Sequence, residues 1–433
     1  MSNWDLGNIY AQRRQQLLAR MGEGLAWINS SGQSFDSGHC RNVEYLTGVR
    51  HPDACLLLSR RGFLAGGVAH CGIWWSTPQG SEYGRGHLVH EALFVPQFHD
   101  RYDGTVVTRQ MPSLEQYRAM SGMTEVYDLM DMEEVLRQAV MEEDVLWVNT
   151  SVTPELGQPV PPDVVRINEI RDRFYWLRLK NIAPIVHDLR RIKDPYELEC
   201  ITKAYQITKD ILERCMREVK PGDNEAKVKA IFEYEVHARI KEGEQDLRMG
   251  FGPIVSAGAR GARNNYWAGN QTIGDGDLIL VDCGVSYRGY SADITRAWPV
   301  NGKFSKRQRE IYDIVLEGQN RGLATMKPGS TPDVARRAVY AYYQQFGLEK
   351  YGLGRNNHPV GLNVEDGYYF GFGDFTPYRV NEAWAFEPML MIHDEGIAIR
   401  MEDGLVITEK GYRLLPAPDR NPDVVEAICQ GRS

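Results

Sequence analysis

Four acids and one histidine in the second half of the chain carry the strongest chemical signal. Asp282 ends the apolar run Leu278 to Val281, and Asp293 follows eleven residues later within Tyr290-Ser-Ala-Asp-Ile-Thr-Arg296. His358 stands in Asn356-Asn-His-Pro-Val-Gly361, Glu387 in Ala385-Phe-Glu-Pro388 and Glu402 in Ile399-Arg-Met-Glu-Asp403. These acids lie in largely apolar segments, where an unpaired carboxylate is costly to bury. Lys and Arg are not regularly paired with them in sequence. Two divalent cations would neutralise the four charges, and a set of carboxylates with one imidazole suits Mn, Fe, Co or Zn better than a thiolate site would. Taken singly, each acid also has an ordinary structural role open to it: a strand-end turn for Asp282, pairing with Arg296 for Asp293, pairing with Arg400 for Glu402. The argument rests on the set.

The elements that must position this set read as α+β. Asp194-Pro195-Tyr196-Glu197 is a helix start, with an N-cap Asp, Pro at the first helical position and a capping-box Glu. Leu198, Ile201, Tyr205, Leu212, Cys215 and Val219 then form one buried stripe, and Lys220-Pro221-Gly222 stops the helix. Lys-Pro-Gly recurs at 327–329. Helical patterns at 224–240 and 332–346 follow the two copies, which suggests two related halves. Leu278 to Val281, Trp384 to Ile392 and Gly404 to Thr408 read as strands, with Asp403-Gly404 as a hairpin turn. Nearer the N-terminus, Ile9 to Met21 reads as a helix. Ala54 to Leu58 and Gly62 to Val68 read as two strands around Ser59-Arg60-Arg61, and Val145 to Val148 as another. The proline-rich stretch 149–163 opens an interdomain connection. The predicted domains are 1–165, a linker at 166–189, and 190–433.

A chain of 433 residues exceeds one ordinary core. Its net charge of −8 disfavours a nucleic-acid partner. It has no apolar run long enough to span a membrane, and its opening Met-Ser-Asn-Trp-Asp lacks signal-peptide character. Seven scattered cysteines without Cys-x-x-Cys spacing predict reduced thiols in a cytoplasm. His39, His70, His87, His90 and His99 lack metal-ligand spacing in their region.

Around the five residues the sequence resembles the pita-bread metallopeptidases, which include Xaa-Pro aminopeptidases, prolidases and methionine aminopeptidases. The resemblance covers about Arg190 to Pro416. It is strongest to the aminopeptidase P and prolidase branch, through Asp277-Leu-Ile-Leu-Val-Asp-Cys-Gly284, the segment around Asp293, Pro299-Val-Asn-Gly-Lys-Phe304 and Arg309-Glu-Ile-Tyr-Asp-Ile-Val-Leu316. Tyr10-Ala-Gln-Arg-Arg14 and Val43-Glu-Tyr-Leu-Thr-Gly48 look like that branch's smaller α/β accessory domain. The resemblance implies a creatinase/aminopeptidase-like pita-bread catalytic domain and a homodimer. It implies two divalent ions held by Asp282, Asp293, His358, Glu387 and Glu402, with manganese the expected metal. It also implies Glu387 as the proton shuttle.

The pattern breaks at the family's non-ligand histidines. Their positions hold Asn265 (followed by Tyr266), Gly354 and Glu365. Imidazole can donate a hydrogen bond to an oxyanion, whereas an ionised Glu365 attracts a cation or acts as a base. Asn265, Tyr266, Gly354, Arg355, His393 and Arg400 are the candidate pocket residues. Arg296 and Arg400 are expected to balance ligand charge, and His393 is a candidate substitute for the missing histidines. The expected function is metal-dependent hydrolysis of a C–N bond in a small amide, amidine or short peptide-like substrate. The other readings are an ordinary Xaa-Pro peptidase, a lyase of the dimethylsulfoniopropionate type with Glu365 or Asp366 as base, and a non-catalytic binding protein.

Overall fold

The computed structural model of the chain describes residues 4–30, 41–65, 86–97, 112–149, 162–240, 246–262, 270–352, 357–366 and 375–431. The candidate pocket residues Asn265, Tyr266, Gly354 and Arg355 lie outside them, as does most of the proline-rich stretch. The chain divides into two compact units, Met1–Arg190 and Arg191–Ser433.

The first unit is built on one six-stranded mixed sheet. Its strands are β1 (Leu25–Asn29), β2 (Cys55–Ala65), β3 (His87–Val95), β4 (Val126–Asp128), β5 (Val145–Val148) and β6 (Arg178–Asn181), in the order β4-β3-β2-β1-β5-β6. Helices α1 (Leu6–Met21), α2 (Asn42–Thr47), α3 (Leu114–Ser121), α4 (Met132–Met141), α5 (Pro162–Arg173) and α6 (Ala183–Arg191) accompany it. Trp27, Leu57, Phe94, Leu136 and Leu146 centre its core. Two expectations change here. The two strands read around Ser59-Arg60-Arg61 are one strand, β2, whose pairing with β3 shifts register between Leu58 and Phe63; a bulge absorbs the polar residues without ending the strand. The stretch read as a linker at 166–189 is structured, because Ile167 and Leu177 are buried in this core and β6 pairs with β5.

The second unit holds β7 (Leu247–Met249), β8 (Ile254–Ala257), β9 (Leu278–Cys283), β10 (Val285–Tyr287), β11 (Tyr290–Ser291), β12 (Ile294–Pro299), β13 (Asn357–Pro359), β14 (Ala383–Phe386), β15 (Met389–Ile392), β16 (Ile397–Arg400), β17 (Asp403–Thr408) and β18 (Gly411–Leu414). They form sheets β11-β10-β7, β12-β9-β8 and β13-β14-β17-β18, with β15 and β16 as a separate hairpin. The helices are α7 (Pro195–Glu218), α8 (Ala226–Arg239), α9 (Lys306–Leu323), α10 (Pro332–Gln344) and α11 (Pro422–Cys429). Helix α7 starts as its sequence dictates: Asp194 accepts from the Glu197 amide at 2.9 Å, and Glu197 accepts from the Asp194 amide at 3.0 Å. Gly222 and Gly329, in the two Lys-Pro-Gly turns, have φ of +92° and +84°, which the missing Cβ permits. Among the described residues no helix is long and apolar enough to cross a membrane.

Two strand readings also change. Trp384 to Ile392 is not one strand, because Glu387-Pro388 breaks it and β14 and β15 join different sheets. Asp403-Gly404 is not a turn. Both residues lie in β17, and Gly404 faces Ala385 across the ladder.

Candidate metal centre

Strand register brings the five residues together. On the central strand β9, Asp282 is directly opposite Thr295 of β12. Asp293 sits just before β12. His358 occupies the middle of β13, opposite Ala385. Phe386 faces Asp403, so Glu387 and Glu402, one residue beyond that pair on each strand, emerge at the same end of the sheet. The Glu402 amide donates to the Thr295 carbonyl at 3.1 Å, tying that end to β12.

The geometry is that of a cation site. His358 Nε2 stands 3.4 Å from Asp293 Oδ2 and 3.6 Å from Glu402 Oε1. One ligand atom from each of Asp293, His358 and Glu402 fits within a 4.8 Å group. His358 Nδ1 lies 3.3 Å from the Pro359 carbonyl, an acceptor; with Nδ1 donating to it, Nε2 would be left on the carboxylate side to serve a cation. Asp282, Asp293, His358 and Glu402 are buried, whereas the Glu387 side chain retains 17% exposure. Asp282 Oδ1, Asp293 Oδ1 and Glu402 Oε1 are buried without a hydrogen-bond partner. Unsatisfied anionic oxygens are what a divalent ion would satisfy, and the donor set fits one.

Electrostatics point the same way. Burial, reinforced by Glu402, raises the Asp293 carboxyl well above its ordinary range. Burial raises Asp282 too, against the opposing pull of Arg400. Glu387 is pushed up to about 8 by burial and then by Glu402. Burial opposes ionisation of Glu402, but His358 and Arg400 outweigh it and lower that carboxyl. His358 is raised, since Asp293 and Glu402 overcome its desolvation. Among the described residues, Arg400 is the permanent cation that bears on Asp282, Glu387 and Glu402.

Of the candidate pocket residues, Arg400 is placed against Asp282 and Glu387, two of the candidate ligands. Its guanidinium donates to Asp282 Oδ2 and lies 3.7 Å from Glu387 Oε2. Arg296 supports backbone: it donates to the Glu402 carbonyl at 2.7 Å and pairs with Asp403 at 2.5 Å. His393 is a correction. It is exposed in the turn at the far end of the β15–β16 hairpin, against the Tyr351 ring at 5.4 Å, while Arg400 pairs with Met389 at the near end. Three strand steps separate those ends, roughly 10 Å. Asp366 is a second correction. It is buried and paired with Lys193 at 3.1 Å, so it is unavailable as a base. Glu365 is exposed in the bend after β13.

Sequence reasoning missed Thr295. Its hydroxyl donates to Glu402 Oε2 at 2.6 Å and accepts from Arg400 Nε at 3.1 Å. Its spacing two residues past Asp293 was the available signal.

Residues 199–409 match the model of metallopeptidase family M24, a span that contains all five candidate ligands. The chain is 32% identical over 281 residues to the Xaa-Pro aminopeptidase of Escherichia coli, covering 57% of this chain and 60% of that protein. It is 30% identical over 254 residues to the Xaa-Pro dipeptidase of Pyrococcus furiosus, covering 59% and 71%. Over 424 residues it is 26% identical to human Xaa-Pro aminopeptidase 3, covering 90% and 76%. The match to the Escherichia coli protein thus spans less than two thirds of that relative. Among solved structures, aminopeptidase P from Escherichia coli superposes with a TM-score of 0.78 at 24% identity, covering 100% of this chain and 99% of that one. The fold is therefore the α+β pita-bread fold of the aminopeptidases P. These relatives are described as peptidases and lend no support to the lyase reading. With residues 199–409 matched and 71% of a 30%-identical dipeptidase covered, the chain belongs to metallopeptidase family M24.

Proposed function

We propose that this chain is a metal-dependent hydrolase of C–N bonds in peptide-like substrates, with Asp282, Asp293, His358, Glu387 and Glu402 holding two divalent ions, manganese first among the candidates. The observation that carries this reading is the buried group of Asp293, His358 and Glu402, with carboxylate oxygens of Asp282, Asp293 and Glu402 left without hydrogen-bond partners. When bound, such ions polarise a carbonyl oxygen and make water nucleophilic at neutral pH.

The residues of the chain then divide the work. Glu387 is the most exposed of the four acids and is suited to take a proton from water and pass it to the leaving nitrogen. Arg400 holds Asp282 and flanks Glu387, and Thr295 fixes the orientation of Glu402. Glu365, where the family carries an imidazole, would give the substrate side of the site an anionic wall. That wall favours a substrate with a cationic end, such as a free amino terminus. A homodimer in a cytoplasmic setting is the family-based expectation.

The test is turnover of a panel of Xaa-Pro dipeptides, Xaa-Pro tripeptides and small amides by manganese-loaded protein in oxygen-18 water. Label in the carboxyl product supports hydrolysis. Alkene formation, or no turnover of any member by metal-loaded protein, contradicts it. A Glu365→Gln variant with full activity would remove Glu365 from the account.

A further inference from the structure

Glu387 and Glu402 sit at a break in strand pairing. The ladder pair Phe386–Asp403 lies on one side of them and Met389–Arg400 on the other. Between these pairs the chain changes sheets, from β14 to β15 and from β16 to β17. The Met401 amide donates to the Pro388 carbonyl at 3.1 Å, and the Glu402 amide to the Thr295 carbonyl at 3.1 Å. The carbonyls of Phe386 and Met401, each just before one of the two acids, are met from α9. Gln319 Nε2 donates to the Phe386 carbonyl at 3.3 Å and to the Met401 carbonyl at 3.1 Å.

Gln319 is completely buried and shares the inner side of α9 with Ile311, Tyr312, Val315 and Leu323. Its Oε1 accepts from Arg420 Nη1 at 2.8 Å. Two carbonyls and one guanidinium thus use both N–H groups and the oxygen of the carboxamide, and only one orientation of the amide satisfies all three. Three residues on, Gly322 lets the helix come close: a Cβ there would stand 2.3 Å from Cζ of Phe386. A methionine at 319 would fill similar volume without burying an amide. It could not hold two carbonyls from two different strands at one nitrogen.

We infer that Gln319 is a positioning residue that sets the separation of Glu387 and Glu402 by pinning the carbonyl that precedes each, and that Arg420 orients its amide. This rests on the metal-dependent reading above, in which both acids are ligands. The hydrogen bonds of Gln319 reach backbone and not the carboxylates, so its effect falls on affinity for metal and not on a chemical step. Groups that orient metal ligands typically change affinity by about 10- to 100-fold when removed.

The experiment is calorimetric titration of metal-free protein with manganese, with thermal melts, for the wild type, Gln319→Met, Arg420→Met and Ile311→Val. The last trims the packing of the same helix and serves as the control. Gln319→Met is expected to bind manganese about 10-fold more weakly, Arg420→Met to bind more weakly than the wild type, and Ile311→Val to bind as the wild type does even where its Tm falls. Wild-type affinity in Gln319→Met would overturn the inference. An equal loss in Ile311→Val would overturn it too, by assigning the effect to packing. If Gln319→Met does not fold, Arg420→Met, at a partly exposed position, decides: weaker binding upholds the inference and wild-type affinity overturns it. If the wild type binds no manganese, the metal-dependent reading fails. If the wild type binds and Gln319→Met binds equally, only the role of Gln319 fails.

Discussion

Arg400 donates a hydrogen bond to Asp282, so one carboxylate of the centre is already engaged by a fixed cation. The same guanidinium lies 3.7 Å from Glu387. Arg400→Met keeps the bulk and removes the charge. In metal-free protein it leaves Asp282 and Glu387 without their counter-ion, and losing one partner of a buried pair costs about 3–5 kcal/mol. The expected result is a lower Tm for metal-free Arg400→Met, partly restored by manganese. An unchanged Tm would show that Asp282 is balanced by another group.

Thr295 joins Glu402 to Arg400 through one hydroxyl, donating at 2.6 Å and accepting at 3.1 Å. Thr295→Val is isosteric but leaves a buried carboxylate oxygen and a guanidinium N–H without that partner. The expected loss is about 1–3 kcal/mol in chemical denaturation of metal-free protein, with weaker manganese binding. Thr295→Ser should retain both properties. Equal losses in Ser and Val would assign the effect to packing.

The pH dependence of metal-free protein follows from the direction of the shifts. Glu387 moves from 4.5 to about 8 on folding, because burial and Glu402 disfavour its charge. Asp282 and Asp293 are raised as well. A raised carboxyl binds more protons in the folded state, so stability falls as pH rises through that window. His358 acts in the same direction, its contribution being held below 6.5 and lost as pH passes its raised value. Glu402 is lowered and opposes them only at acid pH, below 4.5. Metal-free protein should therefore melt at lower temperature at pH 8 than at pH 5. Glu387→Gln should flatten the slope. A Tm that rises across that range in the wild type alone would contradict the assignment.

Lys193 and Asp366 form a buried pair at 3.1 Å, and both crowd the space above Gly361 in the bend that follows His358. Lys193→Met strands Asp366 at a cost of about 3–5 kcal/mol. The double variant Lys193→Met, Asp366→Leu should recover most of it. Urea denaturation of the three proteins measures this, and a double variant no better than the single would show that the pair does more than neutralise itself.

The candidate ligand set was proposed from the sequence because acids in apolar segments demand a cation, and because the segments around Asp282 and Asp293 match a known pattern. The strand register that brings them together was not legible there. Helix α7 was legible from local chemistry alone, since the Asp194 cap and Pro195 act within one turn. What escaped depended on contacts distant in sequence. Gly404 read as a turn because Asp-Gly is a turn signal, yet its glycine makes room for Tyr205, almost two hundred positions earlier in the chain. Tyr205 read as one more member of a buried stripe, because periodicity reports burial and not which distant backbone a ring presses against. Trp384 to Ile392 read as a single strand because apolarity runs through it, and only pairing separates β14 from β15 at Pro388. His393 looked close to Glu387 in sequence but lies at the other end of a hairpin.

The central claim is that four acids and His358 exist to hold metal. Metal analysis of reconstituted protein after exhaustive chelation and manganese dialysis tests it most directly, with Glu402→Gln beside the wild type. The account predicts two manganese ions per wild-type chain and a clear loss in the variant. Wild-type protein that retains none, or a variant that retains as much as the wild type, would contradict it.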